Sequence, residues 1–539
     1  MSRRTITVLA ISMLGWANVV SAQHEQHLGA GTERLGSVRF ENSCAAGVAG
    51  EFNRAVALLH SFEFRPAMEG FERILQSDPS CAIAYWGIAL CHWGNPFAGV
   101  KTGAPLERGL AAVQKGLATG TPTPRERGFL AAAAALFTEA TTRSHPDRVE
   151  AYERAMERVQ RDFPNDVEVR VFYALAVTQS ALPSDRTYGN QLKAGAILEP
   201  LFKQYPDHPG LAHYIVHAYD VPALAPKALD AARRYASIAP SAPHALHMPS
   251  HTFTRVGYWK ESIATNIASE NVSLQQNVIG EALHAMDYQT YAYLQIAEDT
   301  QALAARDRAP GVLAKLDANA IGGAAPPLAG FYAAAAIPAR YALERGGWKE
   351  AAALEVRPSP FPFVDAITHF ARALGAARSG NPIAAKTDIE RLVLLRDRLS
   401  AAKDVYWTEQ VDIQRRIAMA WVAFAEGRRG EGIQTLRAAA DAEDATDKSA
   451  ITPGPLAPAR ELLGEMLLEA ARPQEARTAF EATMKKEPGR FRGLYGAARA
   501  AAAAGDRPAA AAHYKQLLEL ARGSESQRPE LAEARRASR

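Results

Sequence analysis

Residues 66–79, PAMEGFERILQSDP, and residues 473–488, PQEARTAFEATMKKEP, carry the same marks at the same offsets. A small residue (Ala67, Ala476) is followed four positions later by an aromatic (Phe71, Phe480), and eight positions after that by a proline (Pro79, Pro488). The small residue lets two helices approach closely, the aromatic fills the space between neighbouring pairs, and proline cannot continue a helix. Thirty-four residues beyond Ala476 stands Ala510, where Tyr514 matches Phe480. A lone helix hairpin cannot bury its own apolar stripe, whereas stacked neighbours can, so units of this kind come in series.

A period of 34 with these marks resembles the tetratricopeptide superfamily. The stretches Leu58-Leu59-His60-Ser61-Phe62 and Pro243-His244-Ala245-Leu246-His247-Met248-Pro249-Ser250-His251 resemble exported bacterial tetratricopeptide proteins of unassigned function. The resemblance implies an all-α fold, a right-handed α-solenoid of stacked helix hairpins. Further units show as Ala151-x3-Ala155-x8-Pro164 and as two glycine turns followed by an aromatic, at Arg255–Ser262 and Arg345–Ala351. Residues 96–124 and 306–330, rich in Gly, Pro and Ala, read as insertions between hairpins, and Asp441 to Pro458 reads as a weak joint. The expected organisation is a flexible segment over 23–39, an N-terminal array over 40–355, a linker over 356–363, a C-terminal array over 364–522 and a disordered tail over 523–539.

At 539 residues with abundant alanine, an elongated array is favoured over one compact core. Residues 1–22 read as a signal peptide: Arg3 and Arg4 precede an apolar run from Ile6 to Val20, and Val20-Ser21-Ala22 offers a cleavage site. The first cysteine is Cys44, too late for a lipoprotein, so the expectation is an exported product, periplasmic or secreted. No later stretch is long and apolar enough to span a bilayer. Removing Arg3 and Arg4 with the leader takes the formal charge from +3 to +1, which gives no reason to expect nucleic acid. Of three cysteines, Cys44 and Cys81 fall at one end of the first hairpin and are expected to form a disulfide worth roughly 3–4 kcal/mol. Cys91 reads as a buried spare.

Seven of the fourteen histidines lie between His208 and His284. His213 and His217 are four apart, His247 and His251 are four apart, and one repeat of 34 separates the pairs. With Pro240 as the terminal proline of one unit and Gly257 as the turn glycine of the next, the units start at Pro209 and Pro243. The resemblance then implies that Gly210, His213, His217 and Asp220, and His244, His247, His251 and Thr254, face the concave groove. His284 and Asp287 fall at the same positions of a third unit. The expected ligand-binding set is therefore His213, His217, Asp220, His244, His247, His251, His284 and Asp287.

Three roles fit such a set. The groove can hold a protein or peptide partner, which makes the chain an exported binding or scaffolding protein; this is the favoured expectation. His213, His217, His247 and His251 can instead hold zinc or copper, for which imidazole is a suitable donor. Or the imidazoles can serve the packing, for instance by donating to a carbonyl freed at Pro249. A catalytic set is absent: Tyr214 stands where a helical zinc-protease motif needs its glutamate, and no phosphate loop, G-x-S-x-G elbow or Cys-x-x-Cys is found. A hydrolytic site with Asp220 or Asp287 as base is a lesser alternative.

Overall fold

A computed structural model describes residues 33–120, 122–182, 184–320 and 323–538. The expected signal peptide, and residues 23–32 of the expected flexible segment, lie outside the described residues. Every α-helical or 3-10 element accounts for the regular structure; no strand occurs among the described residues. From Arg34 onward the chain is one compact unit, an all-α solenoid of antiparallel helix pairs, each packed on the next.

The first pair, Ala49–His60 and Phe64–Ser77, shows why the quoted stretch folds as it does. Ala67 and Phe71 are fully buried, and the chain leaves its helix at Ser77, two residues before Pro79. A β-carbon placed on Gly87 of the following helix would lie 2.3 Å from the Phe71 ring, so the aromatic seats against bare backbone. The C-terminal copy repeats this: a β-carbon on Gly496 would lie 2.2 Å from Phe480. Each aromatic and its glycine are sixteen residues apart, so the stacking contact belongs to the repeat itself. Burying one such ring contributes roughly 1.5–3 kcal/mol.

Cys44 and Cys81 form a disulfide with Cα atoms 4.7 Å apart, and Cys91 is free and buried. Of the expected linker, residues 356–361 lie between the helices Trp348–Ala352 and Pro362–Arg378 while Pro362 and Phe363 already belong to the second, and one apolar cluster runs across it from Ala351 to Phe363.

Four local expectations are corrected. Residues 96–124 hold the helix Ala104–Ala118, and 306–330 shrinks to a loop between Asp299–Leu313 and Pro327–Glu344. The tail from 523 carries the helix Pro529–Ala537, anchored where Arg528 pairs with Asp299 at 2.6 Å. Residues 34–39 are tied down, with the Arg34 amide donating to Ser241 Oγ at 2.8 Å and the Ser37 amide to the Asp207 carbonyl at 2.9 Å.

Candidate metal centre

Three successive hairpins contribute their first helices to one place. Pro209–Ala218 carries His213 and His217; Pro243–His247 with Pro249–Val256 carries His244, His247 and His251; Ile279–Gln295 carries His284. A four-residue step on a helix returns to the same face, which pairs His213 with His217. The same step pairs His247 with His251 because Met248, at φ −54° and ψ −35°, keeps the helical path across the break at Pro249. Carbonyls around that break are met by hydroxyls: Thr265 Oγ1 donates to Leu246 and Ser269 Oγ to Pro243. The packing role expected for a histidine there is taken by Thr265 and Ser269.

The six imidazoles are interior groups. His213 and His247 are fully buried, and His244, His251 and His284 are at most 4 % exposed. They sort into two triads, His213, His217 and His244, and His247, His251 and His284, in each of which one ligating nitrogen per ring lies within 4.8 Å of the others. The expected quartet of His213, His217, His247 and His251 is thus divided between two centres, each completed by one further histidine. The rings of one triad adjoin those of the other: His244 and His247 have centroids 6.0 Å apart, His217 and His251 6.3 Å.

The hydrogen bonds behind the rings decide where their protons sit. His213 Nδ1 faces the His60 carbonyl at 2.6 Å, an acceptor only, so Nδ1 carries the proton and Nε2 a lone pair. His244 Nδ1 faces the Glu281 carboxylate at 3.0 Å, and His251 Nδ1 faces Asp220 Oδ2 at 2.8 Å. His247 Nδ1 faces Asn266 Oδ1 at 2.7 Å; the amide is oriented by Asn266 Nδ2 donating to the Ser262 carbonyl at 2.7 Å. The far nitrogens of His213, His217 and His244, together with His284 Nδ1, have no protein partner although buried.

His247 Nε2 and His251 Nε2 stand 3.1 Å apart. With the protons held on the Nδ1 atoms, both present lone pairs. Burial, the largest influence, pushes His247 down to about 3 and His251 down to about 4, so neither is an imidazolium at neutral pH. Burial likewise holds His213, His217 and His284 well below the ordinary histidine value. The Tyr288 hydroxyl is 3.4 Å from His251 Nε2 but nearer, at 3.1 Å, to the Thr452 carbonyl. Two converging lone pairs without a proton between them attract a cation, and back-bonded, tautomer-fixed imidazoles are the usual support of metal ligands.

The two aspartates serve the surroundings. Asp220 lies behind His251, also accepting from Arg255 Nε at 2.9 Å and from Lys448 Nζ at 3.4 Å. Asp287 and Arg340 form a fully buried ion pair at 2.8 Å, and Arg340 reaches on to Thr452, Gly454 and Pro455. The expectation that Asp220 and Asp287 face the ligand is therefore corrected: one orients His251 and the other braces the segment 445–458. The open groove expected at these histidines is corrected as well. That segment, a loop around Asn95 and Phe97, and residues Ala324–Ala325 cover the rings, leaving a cavity of about 20 Å³ that touches His217, His244, His251 and His284. Asn95 Nδ2 donates to the Ala324 carbonyl at 2.9 Å and ties two of the covers together. A cavity of that size takes one or two water-sized groups, not a peptide.

A neighbouring group, His60, Glu168 and His208, is of another kind. His60 Nε2 and His208 Nε2 each meet Glu168, at 2.9 and 3.0 Å, and the remaining nitrogens meet Tyr214 and the Leu211 amide, so no donor atom is spare. Sequence reasoning missed Glu281, Asn266, Arg255 and Lys448. Glu281 precedes His284 by three residues and Arg255 follows His251 by four, which are the local signals; Asn266 and Lys448 come from other elements.

No protein-family profile and no curated protein matches this chain. Among solved structures, it is similar to the Cut9–Hcn1 hetero-tetramer of the APC/C, at 13 % identity over 92 % of this chain and 77 % of that one, with a TM-score of 0.36. It is similar to human IFIT1 with m7Gppp-AAAA, at 11 % identity over 86 % and 95 %, TM-score 0.34. It is similar to yeast Tom70, at 9 % identity over 91 % and 95 %, TM-score 0.27. All are too distant to bear on the histidine centre.

Proposed function

We propose that this protein is a metal-binding protein in which a helical-repeat scaffold holds two ions, zinc or copper, each on three imidazoles. The first would sit between His213, His217 and His244, the second between His247, His251 and His284. The observation that carries the reading is the pair of Nε2 lone pairs of His247 and His251, 3.1 Å apart with their protons held on Nδ1. Export to an oxidising compartment, periplasmic or outside the cell, is part of the proposal and is supported by the Cys44–Cys81 disulfide, since such bonds persist where thiols are not kept reduced. The test is elemental analysis of the full chain after dialysis against zinc or copper. Two ions per chain are expected, with loss of both in a His213→Ala, His247→Ala double variant. Metal-free protein that takes up neither ion overturns the proposal.

A second reading, a scaffold docking a protein partner, is favoured by one observation away from the histidines. Ile383 and Leu394 on Pro382–Ala401, and Val405 on Val405–Ala425, are large apolar side chains left 76 %, 53 % and 81 % exposed. Cross-linking through these positions in native extract tests it: one defined partner is expected, and none contradicts it.

A further inference from the structure

We infer that the two triads act as one dicopper centre that binds dioxygen reversibly between its ions. The inference rests on the metal reading above and goes on to name the metal and its ligand.

The donor set selects the metal. An imidazole binds a metal as a neutral donor, and the nearest carboxylates, Asp220 and Glu281, each stand behind an imidazole, bonded to Nδ1. No ligand therefore cancels the charge of an ion, while Lys448 and Arg255 already lie beside Asp220. Burying charge is costly, and the cost grows with the net charge brought in. Two copper(I) ions bring half the charge of two zinc(II) ions, and copper accepts an all-imidazole set. Three imidazoles per ion leave a coordination position open on each.

The cavity selects the ligand. Its walls include rings of both triads, His217 and His244 from one and His251 and His284 from the other. At about 20 Å³ it admits a diatomic molecule and excludes an organic substrate. The remaining wall is largely apolar, with Phe97 stacked on His217 at 4.2 Å between centroids and Met248 and Ile451 beside it. An uncharged gas crosses such a wall without desolvation, whereas an anion does not. In the binding step each copper(I) gives one electron to dioxygen, which becomes a bridging peroxide. The O–O π bond is lost and the σ bond kept, at least one copper–oxygen bond forms at each ion, both ions become copper(II), and no proton or leaving group moves. Release returns the electrons and regenerates dioxygen and copper(I).

The experiment loads the full chain with copper(I) under anaerobic conditions, removes excess metal, counts copper and then admits air. Two copper ions per chain, one dioxygen consumed per pair, a near-ultraviolet absorption band that bleaches on deoxygenation, and a silent electron paramagnetic resonance spectrum are expected. His217 has no hydrogen bond at Nε2, so His217→Ala is the variant least apt to disturb folding. It should cut dioxygen uptake at least tenfold in a chain that still melts cooperatively, and His284→Ala should do the same from the other triad. Two bound coppers that take up no dioxygen reversibly, or two independent copper(II) signals, overturn the inference and leave the metal reading standing. Zinc binding without copper binding also overturns it. Failure to bind either metal overturns both.

Discussion

The protons of His213, His244, His247 and His251 are fixed by what lies behind each ring, and this residue-scale detail converts a cluster of histidines into a set of aimed lone pairs. Asn266 is the sharpest case, because its amide is turned by the Ser262 carbonyl so that only its oxygen can face His247. Asn266→Ala would free His247 to adopt either tautomer, and metal affinity should fall by about 10–100-fold, the usual cost of losing such a supporting group. Competition with a chromophoric chelator measures it; unchanged affinity would show that Asn266 does not set the donor. Glu281→Gln tests the other triad by the same assay. A glutamine has one accepting oxygen, so it keeps the bond from His244 Nδ1 only by turning its amide toward the Ala325 N–H that the carboxylate now accepts, and a loss of about tenfold is expected. The six histidines could be read from spacing together with the concave positions that the tetratricopeptide resemblance implies, with only His213, His217, His247 and His251 expected to ligate metal. Asn266 could not, since it lies on a second helix of its hairpin with no periodic partner, and the roles of Asp220 and Asp287 were misassigned because spacing gives a face and not what already occupies it.

At the scale of helices, the repeat was legible because its chemistry is local. Ala67, Phe71 and Pro79 act within one hairpin, and the same residue types recur at Ala476, Phe480 and Pro488. The glycine opposite each aromatic lies on the next helix and passed unnoticed, although its offset is equally regular. Gly496→Ala would drive a methyl group into the Phe480 ring, 2.2 Å from the nearest carbon, and should destabilise by about 1–3 kcal/mol. Gly430→Ala is the control: its β-carbon meets nothing within 4 Å in the helix Arg429–Asp444, so a gain of up to about 1 kcal/mol is expected from helix propensity. Denaturant unfolding of both variants measures the contrast. Equal effects would show that the aromatic–glycine contact does not hold the stack.

Across the whole molecule, what the sequence could not show is how distant segments close over the histidines. The stretches read as insertions or as a weak joint, around Asn95, Ala324 and Lys448, all converge on the same small cavity. Their Gly and Pro content signals a turn but carries no address. Buried ion pairs make further long-range connections elsewhere in the stack. Glu465 is one: burial alone would raise its carboxyl, but the Arg492 and Arg378 guanidiniums outweigh that and hold it down at about 2. A depressed carboxylate contributes stability above its unfolded value of about 4.5, and that contribution is lost as pH falls toward 2. Glu465→Gln should therefore destabilise at pH 7 and flatten the decline in stability between about pH 5 and pH 2. Thermal melts across that range test the sign, and an undiminished acid dependence would assign it to other groups. The central claim is that the six imidazoles divide three and three around two ions. Anomalous diffraction at the copper or zinc edge from loaded crystals tests it most directly. Two peaks are predicted, one bounded by His213, His217 and His244 and one by His247, His251 and His284; a single peak shared by four histidines, or none within the cluster, would contradict it.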